Sequence, residues 1–155
     1  MTDMEIHDEY VPEDLFAEFT GRMPQVCVEA VIRMEGGVLL TRRTNEPAKG
    51  EWFWPGSRLR KGEHLEDATR RVAREELGIA VDIVERFGVY EHRWERSAEG
   101  PSRHTVNVVY RATPVAETPT ITLDDQHSDH RILTEFDPDL HEYVRRYLED
   151  GDLLE

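Results

Sequence analysis

One cysteine, two lysines and no long apolar run: the 155-residue chain is marked first by what it lacks. The lone thiol, Cys27 in "VCVEAVI", excludes an internal disulfide framework and reads as a small core residue. Apolar residues nowhere approach the roughly 18 in succession that a membrane span needs. The opening stretch "MTDMEIHDEYVPEDL" also lacks the basic and apolar regions of a secretory signal. A cytoplasmic protein with no membrane partner is therefore expected. Positive charge is scarce as well. The formal net charge of -14 argues against nonspecific nucleic-acid binding, which needs a basic surface.

The shortage of cations falls almost wholly on lysine, since Lys49 and Lys61 stand against seventeen arginines. Acidic excess with so little lysine resembles the proteins of extreme halophiles, in which hydrated carboxylates keep a folded chain soluble in concentrated salt. The plainer reading is an acidic cytosolic protein.

At this length the chain fits one domain, 1–155, with room for a core. Residues 1–24 form an acidic N-terminal segment with a short amphipathic helix around "EDLFAEFTGR". "QVCVEAVIRM" (25–34) is rich in β-branched residues and reads as a strand, turned by "EGG" into a second strand over 38–43. "TNEPAKGEW" is loop by its Pro, Gly and Asn content. Leu65, Ala68, Val72 and Leu77 then recur at near-helical spacing over 64–77, and Gly78 is placed to stop that helix. Strands are expected over 79–92 and 104–115, with "ERSAEGPS" as the loop between them, and "ITLDDQHSDHRIL" leads into a short strand. A last helix should start at Asp137-Pro138. This order predicts an α+β fold: an α/β/α sandwich with a mixed sheet between helices.

The informative stretch is the loop–helix–loop from 56 to 79. Ser57, Glu63, Arg71, Ala73, Glu75, Glu76, Gly78 and Ile79 fall in register with the pattern G-x5-E-x7-R-E-U-x-E-E-x-G-U, U being apolar. The departures are Ser57 for the first glycine and Val72 for the glutamate after the arginine. The pattern is the Nudix box, and the chain is identified as a member of that superfamily. Positions 72, 75 and 76 are i, i+3 and i+4 and share one side of a helix. Carboxylates there suit Mg²⁺, a hard cation that prefers oxygen and keeps several waters. Adjacent residues diverge by about 100° around a helix, so Glu75 and Glu76 need not both reach one ion. Taken alone, the two glutamates would be solvated surface charges. Glu63 and Arg71 are placed to tie loop to helix.

A box without its residue-72 carboxylate must find ligands and a base elsewhere. "LDDQHSDHRIL" offers Gln126, whose amide oxygen can ligate Mg²⁺, and His127, whose imidazole can take a proton as a base. "RTNEPAKGEWFWPGSRLRKGE" together with "DQHSDHRIL" resembles the GDP-mannose mannosyl hydrolase branch, which breaks the bond at the anomeric carbon of the sugar with inversion and releases GDP. The resemblance implies Mg²⁺, with Mn²⁺ as its substitute, held by Glu76, Gln126 and the Gly56 carbonyl, with Glu75 a further candidate. It implies His127 as general base and Arg43 and Arg58 against the departing diphosphate. His92 would stand beside the site, and Glu29 would contact substrate where that branch has aspartate. Thr105 replaces a tyrosine that assists the leaving group there. A homodimer is implied by the resemblance alone.

Two other readings stay open: an ordinary Nudix pyrophosphohydrolase that uses Glu75 and Glu76 to attack phosphorus, and a non-catalytic Nudix module that binds nucleotide-sugars. Trp52, Phe53 and Trp54 pack the loop by default, or one of them stacks on a base. If the acidic surface is an adaptation to salt, the melting temperature rises from low to molar KCl; a thermal melt whose midpoint falls with KCl would refute it.

Overall fold

Apolar and β-branched residues dominate the segments that become β1 (Gln25–Met34) and β2 (Gly37–Arg43) in the computed structural model, which describes residues 3–95 and 101–154. The two strands pair antiparallel, Arg33 opposite Val38, across a turn in which Glu35 and Gly36 both take positive φ. That left-handed pair matches the twist of a tight hairpin. β1 runs parallel to β6 (Arg103–Pro114), and β5 (Val81–Trp94) closes the far edge antiparallel to β6. β7 (His127–Leu133) pairs with β2. The loop expected at "ERSAEGPS" includes residues 96–100, which lie outside the described residues.

Alternation along β1 sends residues to opposite faces of the sheet. Ala30 and Ile32 meet Ala73 and Leu77 of α2 (Leu65–Leu77), while Val28 meets Ala68 and Val72 of the same helix. On the other face Val31 packs with Val144 and Tyr147 of α3 (Glu142–Asp150). The mixed sheet between helices is the predicted architecture. Phe53 and Trp54 lie in the α3-side core, as packing residues.

Two short strands had no signature in the sequence. β3 (Trp52–Phe53) pairs with β2, and β4 (Gly56–Arg58) pairs with β1. The last helix also begins later than Asp137-Pro138. Residues around 137 form a turn in which the Asp137 side chain accepts from the Asp139 N–H, and His141 caps α3 by accepting from the Tyr143 N–H at 3.0 Å. α1 (Glu13–Arg22) is the short helix expected in the acidic segment. No helix among the described residues is long and apolar enough to cross a membrane.

The link between β4 and α2 is an ion pair. Arg71 grips both oxygens of Glu63, at 2.7 and 3.0 Å, donates to the Arg58 carbonyl at 3.0 Å and reaches Glu75 at 3.3 Å. The side chains of Arg71 and Glu63 are both buried. Burial alone would raise the Glu63 carboxyl, but the Arg71 fork and the Arg60 N–H leave it below the usual carboxylate range. Removing one member of such a pair strands the other, so Arg71→Leu is expected to cost about 3–5 kcal/mol. Arg70→Ala, at an exposed pair one residue away, should change stability by about 0.5 kcal/mol or less. Equal melting temperatures for the two variants would remove the clamp from this account.

Candidate active site

Glu76 is the meeting point of four segments. Its side chain is buried near the C-terminal end of α2, and Oε1 accepts the Gly56 N–H at 3.4 Å and lies 3.5 Å from His127 Nε2. The Glu76 carbonyl also takes the Asp124 N–H at 3.3 Å, tying the β7 loop to the helix. Gly56 faces Glu29 across the β1–β4 pairing, and a Cβ there would sit 2.8 Å from both the Glu29 side chain and the Val28 carbonyl. Only glycine allows that approach.

His127 begins β7 opposite Arg43 of β2, at a register shift between Arg42 and Arg43. Its Nδ1 lies 2.6 Å from Asp124 Oδ1. A carboxylate on one ring nitrogen fixes the tautomer and directs the other nitrogen, here towards Glu76. Asp124 was not singled out in the sequence; its signal was a spacing of three residues before a histidine in an irregular loop, which many surface pairs share.

Gln126 follows the same loop. Its backbone carbonyl accepts the Thr44 N–H at 3.0 Å, and the Asp125 carbonyl accepts the Thr44 hydroxyl at 3.2 Å. Arg43 is anchored through Nε to the Pro47 carbonyl at 2.8 Å, and burial lowers its pKa against the pull of the Glu76 and Glu29 charges. Arg58 lies on β4 opposite Cys27. Glu75 is placed elsewhere: its oxygens face Arg71 at 3.3 Å and Arg60 at 3.5 Å, in the loop–helix clamp. Val72 occupies the missing glutamate position and is buried against Val28 and Ala68.

The surroundings of the Glu76 carboxyl suit a hard cation such as Mg²⁺, and Gln126 is exposed on the neighbouring loop. Burial and the Asp124 charge push the Glu76 carboxyl up to about 8, as expected of a buried anion with another anion beside it. A cation would reverse that penalty. No group of three or more His, Cys, Asp or Glu side chains among the described residues forms a ready-made cage. Mg²⁺ does not call for one, since it takes one or two carboxylates and completes its shell with water and phosphate oxygens.

The other implied residues lie on the α3 side of the sheet. Glu29 and His92 are both buried, and Tyr147 stands between them. The Tyr147 hydroxyl bonds the Glu29 carboxylate and lies 3.0 Å from His92 Nε2. Burial drives the Glu29 carboxyl up to about 7, with Tyr147 and Asn107 pulling it back. Burial also holds His92 neutral, its pKa brought down to about 4, and its ring stacks on Tyr143 at 4.3 Å. Tyr147 and Asn107 were missed in the sequence because neither belongs to a local pattern.

A mixed sheet between helices, with a loop–helix unit presenting a buried glutamate to a glycine-led strand, is the Nudix architecture. The comparisons agree: the family profile described as NUDIX domain matches residues 22–150. The chain belongs to the Nudix family. It is 43% identical over 141 residues to the low-salt glycan biosynthesis protein Agl8 of Haloferax volcanii, covering 90% of this chain and 89% of that one. It is 31% identical over 87 residues to an ADP-ribose pyrophosphatase of Methanocaldococcus jannaschii, a match spanning 56% of this chain and 49% of the relative. The crystal structure of a MutT NUDIX hydrolase from Burkholderia pseudomallei superimposes with a TM-score of 0.68 at 30% identity, covering 83% of this chain and 98% of the other.

The two shifted groups beside Tyr147 give opposite pH slopes. His92 is depressed, so its contribution to stability is present above the ordinary histidine value of 6.5 and is lost as pH falls towards about 4. Glu29 is raised, so its contribution is present below 4.5 and is lost as pH rises through about 7. Comparing wild type with His92→Gln isolates the first slope. The advantage of wild type at pH 7.5 should shrink by roughly 1–3 kcal/mol at pH 4.5. Parallel stability curves for the two proteins would show that His92 is not buried in its neutral form.

Proposed function

We propose that the chain is a Mg²⁺-dependent nucleotide-sugar hydrolase that cleaves GDP-mannose or GDP-glucose at the anomeric carbon, giving GDP and the free sugar with inversion. The observation that carries this reading is the placement of His127. His127 is buried off the helix, oriented by Asp124 at 2.6 Å, while the box position that would carry a further glutamate is Val72, packed in the core. Support also comes from the relative named for glycan biosynthesis, a role that accords with a sugar-nucleotide substrate. Its source is a halophile, in keeping with the acidic, lysine-poor composition.

Glu76, the Gly56 carbonyl and the Gln126 amide oxygen would hold Mg²⁺, which supplies positive charge to the diphosphate. Arg43 and Arg58 add fixed cations whose planar forks suit phosphate oxygens. Preorganised charge of this kind is commonly the largest contribution to catalysis. With the leaving group so stabilised, the sugar carbon develops oxocarbenium character, and His127 takes the proton of a water that attacks the opposite face, as in inverting glycosidases. Asp124 stabilises the imidazolium that results. A homodimer accords with the same branch resemblance.

The second reading, attack at phosphorus, draws on the retained Glu75 and on the relative named ADP-ribose pyrophosphatase. Products separate the two. Hydrolysis in ¹⁸O water should put the label in the sugar and release GDP; label in phosphate with GMP and sugar phosphate would establish the second reading. His127→Gln should lower kcat by about 10²–10⁴-fold with the melting temperature little changed. Wild-type activity for that variant across neutral pH would remove His127 as the base.

A further inference from the structure

A buried tyrosine hydroxyl needs one partner to offset its desolvation. Tyr147 has two, and they come from strands that do not touch. Glu29 is on β1 and His92 on β5, with β6 between them. One hydroxyl has one proton. Donated to the Glu29 carboxylate, it leaves the oxygen free to accept from His92 Nε2–H, which assigns that tautomer and leaves His92 Nδ1 an acceptor. On the same side Asn107 bonds Glu29 and accepts the Thr105 hydroxyl at 2.6 Å. The Glu29 carboxylate is thus oriented from two directions, from the sheet and from α3.

The ring does separate work. It stacks on Trp54 at 5.8 Å and 8°, two residues ahead of Gly56, and lies 4.2 Å from Tyr90. α3 is itself latched to β5, where the Tyr143 hydroxyl donates to the Arg93 carbonyl at 2.9 Å and accepts its N–H at 3.0 Å. Packing would be satisfied by phenylalanine at 147. The hydroxyl adds only the bridge between Glu29 and His92, and Glu29 is the residue that faces Gly56 across the sheet.

We infer that Tyr147 is a positioning residue for the glycosyl half of the substrate, holding Glu29 and His92 in the arrangement that recognises sugar hydroxyls. This rests on the nucleotide-sugar reading above. In that reading the diphosphate falls instead to Arg43, Arg58 and the Glu76 neighbourhood, none of which the Tyr147 hydroxyl bonds. Loss of the hydroxyl should therefore weaken one half of the substrate and spare the other.

The test is Tyr147→Phe assayed in Mg²⁺, with KM for the GDP-sugar read against the inhibition constant of GDP. KM is expected to rise about tenfold, the equivalent of one hydrogen bond to a charged group, with GDP inhibition unchanged within about twofold. Phenylalanine leaves a buried carboxylate short of a donor, so Tyr147→Phe is also placed in a Glu29→Gln background, which removes that charge. If Tyr147 acts through Glu29, the second substitution adds little further rise in KM; coupling of this kind is what a double-mutant cycle measures. An unchanged KM in Tyr147→Phe, an equal loss of GDP and GDP-sugar affinity, or fully additive effects in the double variant would each overturn the inference. Failure of the underlying reading shows up separately, as GMP and sugar phosphate among the wild-type products.

Discussion

The guanidinium of Arg71 holds the Glu63 carboxylate with two hydrogen bonds and the Arg58 carbonyl with a third, and the rest of the site hangs on that grip. A loop of polar residues between a three-residue strand and a helix has little apolar area with which to fix itself. The buried fork supplies the missing constraint at the helix end, and the β1–β4 pairing supplies it at the strand end. Between the two anchors, Gly56 is brought within reach of Glu76. The energetic argument is one of mutual dependence: each buried charge is tolerable because the other is present.

Gly56 then divides two chemically different neighbourhoods. On the α2 side, Glu76 is buried beside Asp124 and His127, and burial together with the Asp124 charge disfavours its ionised form. On the α3 side, Glu29 is buried against hydroxyl and amide donors with a neutral histidine nearby. An anion stranded among anions favours a cation; a carboxylate held by neutral donors favours hydroxyl partners. Two carboxylates of the same chemistry are thus given different surroundings, which set what each can bind.

Much of the frame was legible in the chain. The near-helical recurrence of Leu65, Ala68, Val72 and Leu77 and the left-handed Gly78 set α2 without tertiary help. β-branched content set β1 and alternation set β6, and the eight-residue spacing of Glu63 and Arg71 anticipated their contact. β3 and β4 escaped because strands of two and three residues have no period of their own; their partners lie far along the sequence and decide them. The start of α3 escaped because Asp137-Pro138 is as good a turn as a helix start, and His141 makes the better cap.

Local pattern determined the fold class and the box, since the spacing of apolar and charged residues along one helix or strand is enough to say which faces can be buried. It could not choose between Glu75 and Glu76, which are equal as residues and adjacent in sequence. The packed structure separates them, turning Glu76 into the interior beside His127 and leaving Glu75 to Arg60 and Arg71. Nor could it join Tyr147 to Glu29 across 118 positions. That contact exists only once α3 lies on the sheet, because burial and closeness between distant residues are properties of the folded chain and not of any segment of it.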